Sequence, residues 1–327
     1  MQGELIVFSG SSHPALARAI ADRLGVPLGE SEVLKFSNEN LMVRIKDNVR
    51  ERDVFVVQTS SPPVNDHLVE TLIFLDALRY ASAARITAVL PYFPYCRSDK
   101  KDEPRISIAA RLVAELLVAA GADRVLTMDL HSPQIQGFFR IPVDQLLAAP
   151  VFMDYFKDVL FREEPKEDFV LVMGDHGAAK QFGYYADELD LPVAIMDKFR
   201  PNHSEKPVIR QVIGNVADKA CLIIDDEIAS GGTLVEAADM LSRSGAKRIL
   251  AAAVHPILSG NALKKLLESP IERFILGNTV PVAEKILGHG DRFVVLDLAS
   301  LFAEAIRSIH SGSSISALFP PSVRRKA

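Results

Sequence analysis

Short apolar runs rich in β-branched residues alternate along this chain with longer segments in which apolar residues recur at helical spacing. This alternation is typical of βαβ units, in which helices connect parallel strands and pack on the faces of the sheet. The strands that it predicts are Leu5–Phe8, Asp53–Gln58, Ile86–Leu90, Arg124–Met128, Phe169–Met173, Val193–Met196, Ala220–Ile224, Ile249–Val254, Phe274–Leu276 and Phe293–Leu296. The helices that it predicts are His13–Leu24, Asp66–Ser82, Ser107–Ala120, Val151–Val159, Ala178–Leu189, Leu234–Ser244, Asn261–Leu267 and Leu301–Ile309. We therefore expect an α/β fold with mostly parallel sheets.

The length of 327 residues favours two domains, at roughly 150 residues per domain. A stretch with prolines and little charge, residues 142–150, separates the first series of predicted units from the second. We expect an N-terminal domain over residues 1–147 and a C-terminal domain over residues 148–300. A final helix and tail, residues 301–327, are expected to pack back on the N-terminal domain.

Composition narrows the possible functions. Hydrophobic residues make up 48% of the chain and charged residues 24%, which excludes a disordered, collagenous or coiled-coil protein. The net charge of −5 argues against general nucleic-acid binding, which depends on excess basic charge. Cys96 and Cys221 are too far apart in sequence for a CxxC redox pair or a zinc ribbon. No apolar run is long enough for a membrane span, so we expect a cytoplasmic protein without membrane or nucleic-acid partners.

The strongest chemical signal is the segment from Cys221 to Thr233. An apolar strand ends there in Asp225 and Asp226, a turn of small residues follows, and a helix begins. The N-terminus of a helix after such a turn binds phosphate, since free backbone N–H groups and the helix dipole meet there. The two acids stand where α/β proteins bind ligands, and they suit sugar hydroxyls or a divalent cation. The alternative is an ordinary strand-to-helix turn with a helix cap.

Two acids, two spacers and a turn of small residues that ends in Gly-Gly-Thr resemble the phosphoribosyl pyrophosphate motif of type I phosphoribosyltransferase folds. Further blocks resemble the ribose-phosphate pyrophosphokinase family and run in the family's order: Phe36–Asn38, Pro91–Asp102, Asp129–Phe139, Asp197–Arg200, His255–Gly260 and Ser314–Phe319. The block HSPQIQGFF within residues 131–139 is highly specific for this family. The resemblance therefore extends from residue 36 to residue 319.

The resemblance implies a fold of two phosphoribosyltransferase-like domains, each a mostly parallel sheet flanked by helices. It also implies transfer of the diphosphoryl group of ATP to the 1-hydroxyl of ribose 5-phosphate, giving phosphoribosyl pyrophosphate and AMP, with Mg²⁺ as cofactor. The family further suggests a homo-oligomer, often a hexamer. Independently of the resemblance, the chain contains no GxxxxGK[ST] motif, which excludes a P-loop kinase.

Site residues follow from the same resemblance. The catalytic pair is Lys198 and Arg200, whose charges would neutralise the phosphoryl groups in transfer. Mg²⁺ ligands would be His131 and Asp175. The residues expected to bind ribose 5-phosphate are Arg200, Asp225, Asp226, Ala229, Ser230, Gly231, Gly232 and Thr233. The residues expected to bind the nucleotide are Phe36, Asn38, Glu39, Asn40, Arg97, Ser98, Lys101, Asp102 and Arg105.

Several positions depart from the family pattern, and three of them motivate a second hypothesis. Asn40 replaces a Glu that reads the adenine, Ser98 replaces a Gln, and Ala229 replaces the third acid of the ribose 5-phosphate motif. These departures leave a second hypothesis open, a non-catalytic paralogue that assembles with or regulates a true synthetase. A third hypothesis is a phosphoribosyltransferase that consumes the product, but this would not explain the first 140 residues.

A regulatory site is also implied by the resemblance. Arg50 and the C-terminal residues Ser314 and Ser316 resemble the family's allosteric anion site, where phosphate activates and ADP inhibits. Arg50 offers a guanidinium fork to a phosphate and the serines offer hydroxyl donors. The alternative is that all three are ordinary solvated residues.

Overall fold

The computed structural model describes residues 3–199 and 208–324. They form two compact units. Unit 1 comprises Met1–Leu147, Thr279–Pro281 and Asp297–Leu318, and unit 2 comprises Ala148–Asn278, Val282–Leu296 and Phe319–Ala327. The segment Asp297–Leu318 thus belongs with unit 1, and the segment Phe319–Ala327 belongs with unit 2.

Strands and helices alternate through both units. The strands are β1 (Leu5–Ser9), β2 (Ser31–Lys35), β3 (Leu41–Ile45), β4 (Asp53–Val57), β5 (Arg85–Leu90), β6 (Arg124–Met128), β7 (Val143–Leu146), β8 (Phe169–Met173), β9 (Val193–Phe199), β10 (Val208–Ile213), β11 (Ala220–Glu227), β12 (Arg248–His255), β13 (Arg273–Gly277) and β14 (Phe293–Leu296). The α-helices are α1 (Pro14–Leu24), α2 (Val64–Tyr80), α3 (Ala109–Ala120), α4 (Ala149–Tyr155), α5 (Phe161–Glu163), α6 (His176–Leu189), α7 (Gly232–Arg243), α8 (Ala262–Glu268), α9 (Ala299–Ser311) and α10 (Pro321–Arg324). A π turn, Phe156–Leu160, joins α4 to α5.

All the predicted strands and helices are confirmed within a few residues at their ends. The structure adds the strands β2, β3, β7 and β10, which the pattern did not predict. In β2 and β3, charged and apolar residues are mixed and most positions are only partly buried, so neither strand forms a recognisable apolar run. The four-residue β7 lies in the stretch that we interpreted as a domain boundary.

Unit 1 contains a five-stranded parallel sheet with the order β1-β4-β5-β6-β7 and a separate β2–β3 hairpin. Every residue of β4 is buried, since helices cover both faces of a parallel sheet. Helix α9 packs against α1, which places the C-terminal helix in the same unit as the first strand.

Unit 2 contains a seven-stranded sheet with the order β10-β9-β8-β11-β12-β13-β14, in which only β10 is antiparallel to its neighbour. Its core includes residues from β8, β11 and β12 together with the inner face of α7. Cys96 and Cys221 are both buried, neither forms a disulfide within the described residues, and burial raises the pKa of Cys221 to about 12. A thiol that stays protonated is a poor nucleophile, so Cys221 is a packing residue.

A buried ion pair joins the first residues of two neighbouring strands in unit 1. Arg85 donates to both carboxylate oxygens of Asp53, at 2.7 and 2.6 Å, and Asp53 is fully buried. Arg85 also donates to the carbonyl of Ile309 at 3.0 Å, and Nδ1 of His310 lies 2.7 Å from Asp53 Oδ2. One carboxylate therefore connects the sheet to the last turn of α9.

We predict that Asp53→Ala lowers the free energy of unfolding by about 3 kcal/mol, because the substitution leaves a partly buried guanidinium without its partner. Urea denaturation followed by circular dichroism measures the change. The matched control is Glu115→Ala, which breaks the exposed ion pair with Arg111 on α3 and should cost under about 1 kcal/mol. Equal effects of the two substitutions would contradict the prediction.

Candidate functional site

The order of the strands in unit 2 reverses next to β8. From β8 the chain proceeds to β9 on one side, and later returns as β11 on the other side. Ligands of open parallel sheets bind in the crevice outside the carboxyl ends of the strands at such a reversal. Met173 of β8 pairs with Ile224 of β11, so the residues that follow these two positions leave the sheet side by side. These residues include Asp175 after β8 and the pair Asp225 and Asp226 at the end of β11.

The turn between β11 and α7 forms the predicted phosphate cradle, which we define as residues 229–233. Gly231, which precedes the first residue of α7, has a φ of 73°, in the left-handed region that favours glycine. A Cβ atom at this position would also lie 3.3 Å from Cδ2 of Leu266 on α8. The backbone conformation therefore favours glycine at residue 231, and a larger residue there would also need the Leu266 side chain to shift slightly.

The first turn of α7 gives the cradle its donors. Val235 N donates to the carbonyl of Gly231 at 3.0 Å, the first hydrogen bond of the helix. The N–H groups of Gly232 to Leu234 have no acceptor within the helix, because no helical residue lies four positions before them. They lie at the positive end of the helix dipole. The side chains of Ser230 and Thr233 are exposed there. This arrangement suits a phosphate group.

The connection between β12 and α8, residues 256–261, supports the cradle from one side. Ile228 N donates to the carbonyl of His255 at 2.9 Å, and Leu258 N returns a bond to the carbonyl of Ile228 at 3.0 Å. Ser259 N donates to the carbonyl of Ala229 at 2.9 Å. These backbone bonds fix the start of the cradle before any ligand arrives, which reduces the entropy lost on binding.

The two acids of β11 differ in their surroundings. Because side chains alternate along a strand, Asp225 shares a face with Cys221 and Ile223, which belong to the core under α7. Asp225 therefore lies on the cradle side of the sheet, where it accepts from the backbone N of Asp226 at 2.9 Å. Asp226 is on the opposite face and is only 7% exposed.

Asp175 caps α6. Its Oδ1 accepts from Ala178 N at 2.8 Å, and the residue is exposed. One carboxylate oxygen is thus occupied by the helix, and the other is available as a hard oxygen ligand of the kind that Mg²⁺ prefers. Asp175, Asp225 and Asp226 therefore lie at the same edge of unit 2, with Asp225 and Asp226 on opposite faces of β11.

Lys198 of the predicted catalytic pair belongs to β9, on the other side of β8 from β11. Ile195 of β9 pairs with Met173, and Lys198 follows three residues later, opposite Ile209 of β10. The backbone of Lys198 therefore lies beyond the carboxyl end of β8, at the same edge as Asp175. Arg200 lies outside the described residues.

The predicted nucleotide residues lie in unit 1, on two exposed segments. Phe36–Asn40 form the turn of the β2–β3 hairpin, closed by hydrogen bonds of 2.8 Å between Phe36 N and the Asn40 carbonyl and between Glu39 N and the Phe36 carbonyl. The Phe36 side chain is 46% exposed, which is unusual for so large an apolar group. Asn38 Oδ1 accepts from Asn40 N at 3.2 Å, so this amide shapes the turn.

The second segment follows β5 and includes Arg97, Lys101, Asp102 and Arg105, all of which are exposed. Ser98 stands at its base. Its hydroxyl donates to the carbonyl of Ser107 and accepts from Ala109 N, each at 3.2 Å. Ser98 therefore joins the two ends of this loop, a structural role that its place in the motif did not indicate.

The remaining predicted residues are also in unit 1. His131 follows β6, two residues after the buried Asp129, whose backbone N donates to the Leu146 carbonyl at 2.9 Å. Arg50 is exposed, and its Nη1 donates to Ser82 Oγ at 3.3 Å. Ser314 and Ser316 bond to each other through their hydroxyls at 2.9 Å. The anion site formed by Arg50 and these serines stays a prediction.

Among the residues that the structure describes, no helix combines the length and the apolar character needed to cross a bilayer.

Comparisons with known proteins agree with the geometry. The model of the N-terminal domain of ribose phosphate pyrophosphokinase matches residues 5–121, and that of the phosphoribosyl synthetase-associated domain matches residues 196–320. The ribose-phosphate pyrophosphokinases of Caldanaerobacter subterraneus and Deinococcus radiodurans are each 47% identical to this chain, across 96% of it and 98% of the relative. The crystal structure of phosphoribosylpyrophosphate synthetase from Mycobacterium smegmatis is 39% identical, with a TM-score of 0.88 over 95% of this chain and all of that one. This chain belongs to the ribose-phosphate pyrophosphokinase family.

Proposed function

We propose that this protein is a ribose-phosphate pyrophosphokinase, which transfers the diphosphoryl group of ATP to the 1-hydroxyl of ribose 5-phosphate and releases AMP. The observation that carries the proposal is the cradle at residues 229–233, placed beside the acids Asp225 and Asp226 at the strand-order reversal of unit 2. The near-complete overlap with relatives of that name supports it.

In this proposal the cradle binds the 5-phosphate of ribose 5-phosphate. The free N–H groups at the start of α7 and the hydroxyls of Ser230 and Thr233 donate to its oxygens. Asp225 lies on the same face of β11 and accepts from the ribose hydroxyls. Ala229 has no carboxylate to add to these contacts, so the affinity for the sugar depends on Asp225.

Diphosphoryl transfer needs positioning and charge neutralisation rather than covalent chemistry by the protein. Lys198 and Arg200 supply positive charge for the phosphoryl oxygens as the bond to AMP breaks. His131 and Asp175 are each proposed to hold a Mg²⁺ ion, with Asp175 taking the second one, and these ions would supply further neutralising charge when bound. The chain has no P-loop, so these separate groups would bind and neutralise the phosphates, which a single motif does in P-loop kinases.

The nucleotide would bind through unit 1. The exposed ring of Phe36 offers a surface on which a base can stack, and Asn40 offers an amide that can accept from an exocyclic amino group. Arg97 and Arg105 offer guanidinium groups to the phosphates. The assembly into a homo-oligomer and the cytoplasmic location are part of the same proposal.

The direct test is the formation of AMP from ATP and ribose 5-phosphate in the presence of Mg²⁺. We expect AMP and phosphoribosyl pyrophosphate in equal amounts without any added base. A non-catalytic paralogue would give neither product. A phosphoribosyltransferase would consume phosphoribosyl pyrophosphate only when a nucleobase is supplied.

Lys198→Ala should lower kcat by at least ~100-fold and leave the KM for ribose 5-phosphate nearly unchanged, because a charge aimed at the transition state acts mainly there. Steady-state kinetics separate the two constants. A raised KM with an unchanged kcat would remove Lys198 from the catalytic role.

Asp175→Asn should raise the Mg²⁺ concentration needed for half-maximal activity by about tenfold, because it removes one negative charge from the cation site. The amide oxygen still accepts from Ala178 N, so the melting temperature should change little. Asp175→Ala is the companion variant, since it removes the cap as well and should lower the melting temperature. A normal Mg²⁺ dependence in Asp175→Asn would leave Asp175 as a helix cap only.

A further inference from the structure

The connection between β12 and α8 has an unusual backbone at its centre. Leu258 has a φ of 48°, a left-handed conformation that residues with a Cβ atom rarely adopt. Its side chain is buried in the core of unit 2, at 5% exposure, so the residue is fixed in place. Such a conformation persists only where the surroundings hold it.

Lys285 supplies that support from a distant part of the sequence. Its Nζ donates to the carbonyl of Ile257 at 2.6 Å and lies 3.5 Å from the carbonyl of Leu258. These two carbonyls belong to the peptide groups on either side of the Leu258 Cα atom. A single ammonium group therefore holds in place both peptide groups that flank the Leu258 Cα atom.

The same residues support the phosphate cradle. Leu258 N donates to the carbonyl of Ile228, and Ser259 N donates to the carbonyl of Ala229. A rotation of either peptide plane at Leu258 would misalign these bonds and shift the start of the cradle. The contacts thus run from Lys285 through the connection between β12 and α8 to the residues that precede α7.

We infer that Lys285 is a positioning residue for ribose 5-phosphate, which orders the phosphate cradle through the carbonyls of Ile257 and Leu258 without touching the substrate. This inference rests on the proposed function for the identity of the ligand. The ammonium forms charge-assisted hydrogen bonds, which are stronger than bonds between neutral groups. Lys285 is exposed as a whole, and desolvation of its ammonium against these carbonyls lowers its pKa.

The test compares three variants with the wild-type protein. Lys285→Met removes the donors and keeps an unbranched side chain, Lys285→Arg keeps a charged donor, and Lys264→Met is the control. Lys264 is an exposed lysine of α8 whose ammonium lies 3.9 Å from Glu268. Kinetics give kcat and both KM values, and isothermal titration calorimetry gives the Kd of ribose 5-phosphate.

Lys285→Met should raise the KM and the Kd for ribose 5-phosphate at least ~5-fold, because the cradle must be ordered on binding. The KM for ATP should stay within about twofold, since the nucleotide does not use the cradle. Lys285→Arg should restore most of the affinity, and Lys264→Met should behave as the wild type does. If Lys285→Met does not give a folded protein by circular dichroism, Lys285→Gln replaces it with the same expected direction.

A purely structural role for Lys285 would lower the melting temperature without a selective change in the ribose 5-phosphate constants, and this result would overturn the inference. An equal rise in both KM values would overturn it too. If the wild-type protein formed no AMP, the proposed function would fail, while the calorimetric Kd for ribose 5-phosphate would still test the role of Lys285.

Discussion

The parallel alignment of β9, β8 and β11 is the constraint on which the candidate site depends. Because the three strands run in the same direction, the residues that follow Ile195, Met173 and Ile224 all leave unit 2 at one edge. The helices that begin after β8 and β11 also present their N-termini at this edge. The geometry of the sheet alone therefore brings acidic side chains, free backbone donors and the backbone of Lys198 to the same edge. A shift of one residue in the register of β11 would move Asp225 to the opposite face.

Rigid support is the second requirement of such a site. The cradle contains the small residues Ser230, Gly231 and Gly232, which leave the backbone free to approach an anion but contribute little packing of their own. The structure compensates with backbone hydrogen bonds from the β12–α8 connection and with the close contact between Gly231 and Leu266. A loop that is both narrow and fixed can bind phosphate without a large loss of conformational entropy.

Two of the predicted site residues have structural hydrogen bonds besides the chemical roles proposed for them. Asp175 caps α6 with one carboxylate oxygen, and Ser98 closes the base of an exposed loop. Substitution of such a residue by Ala changes both roles together. The choice of Asn for Asp175 separates them, because an amide retains the cap and loses the charge.

The amino-acid sequence by itself determined the alternation of strands and helices, since short, wholly apolar runs such as that of β8 are typical of strands buried on both faces. It also determined the cradle, because a Gly-Gly turn between two acids and a helix has a direct physical interpretation. The sequence did not indicate β2 and β3, whose mixed and half-exposed residues gain their strand conformation from pairing with each other. Nor did it indicate Lys285, which is 28 residues from Ile257 in the chain. Only the tertiary structure brings that ammonium to the two carbonyls, because a contact between distant segments depends on how the intervening strands pack.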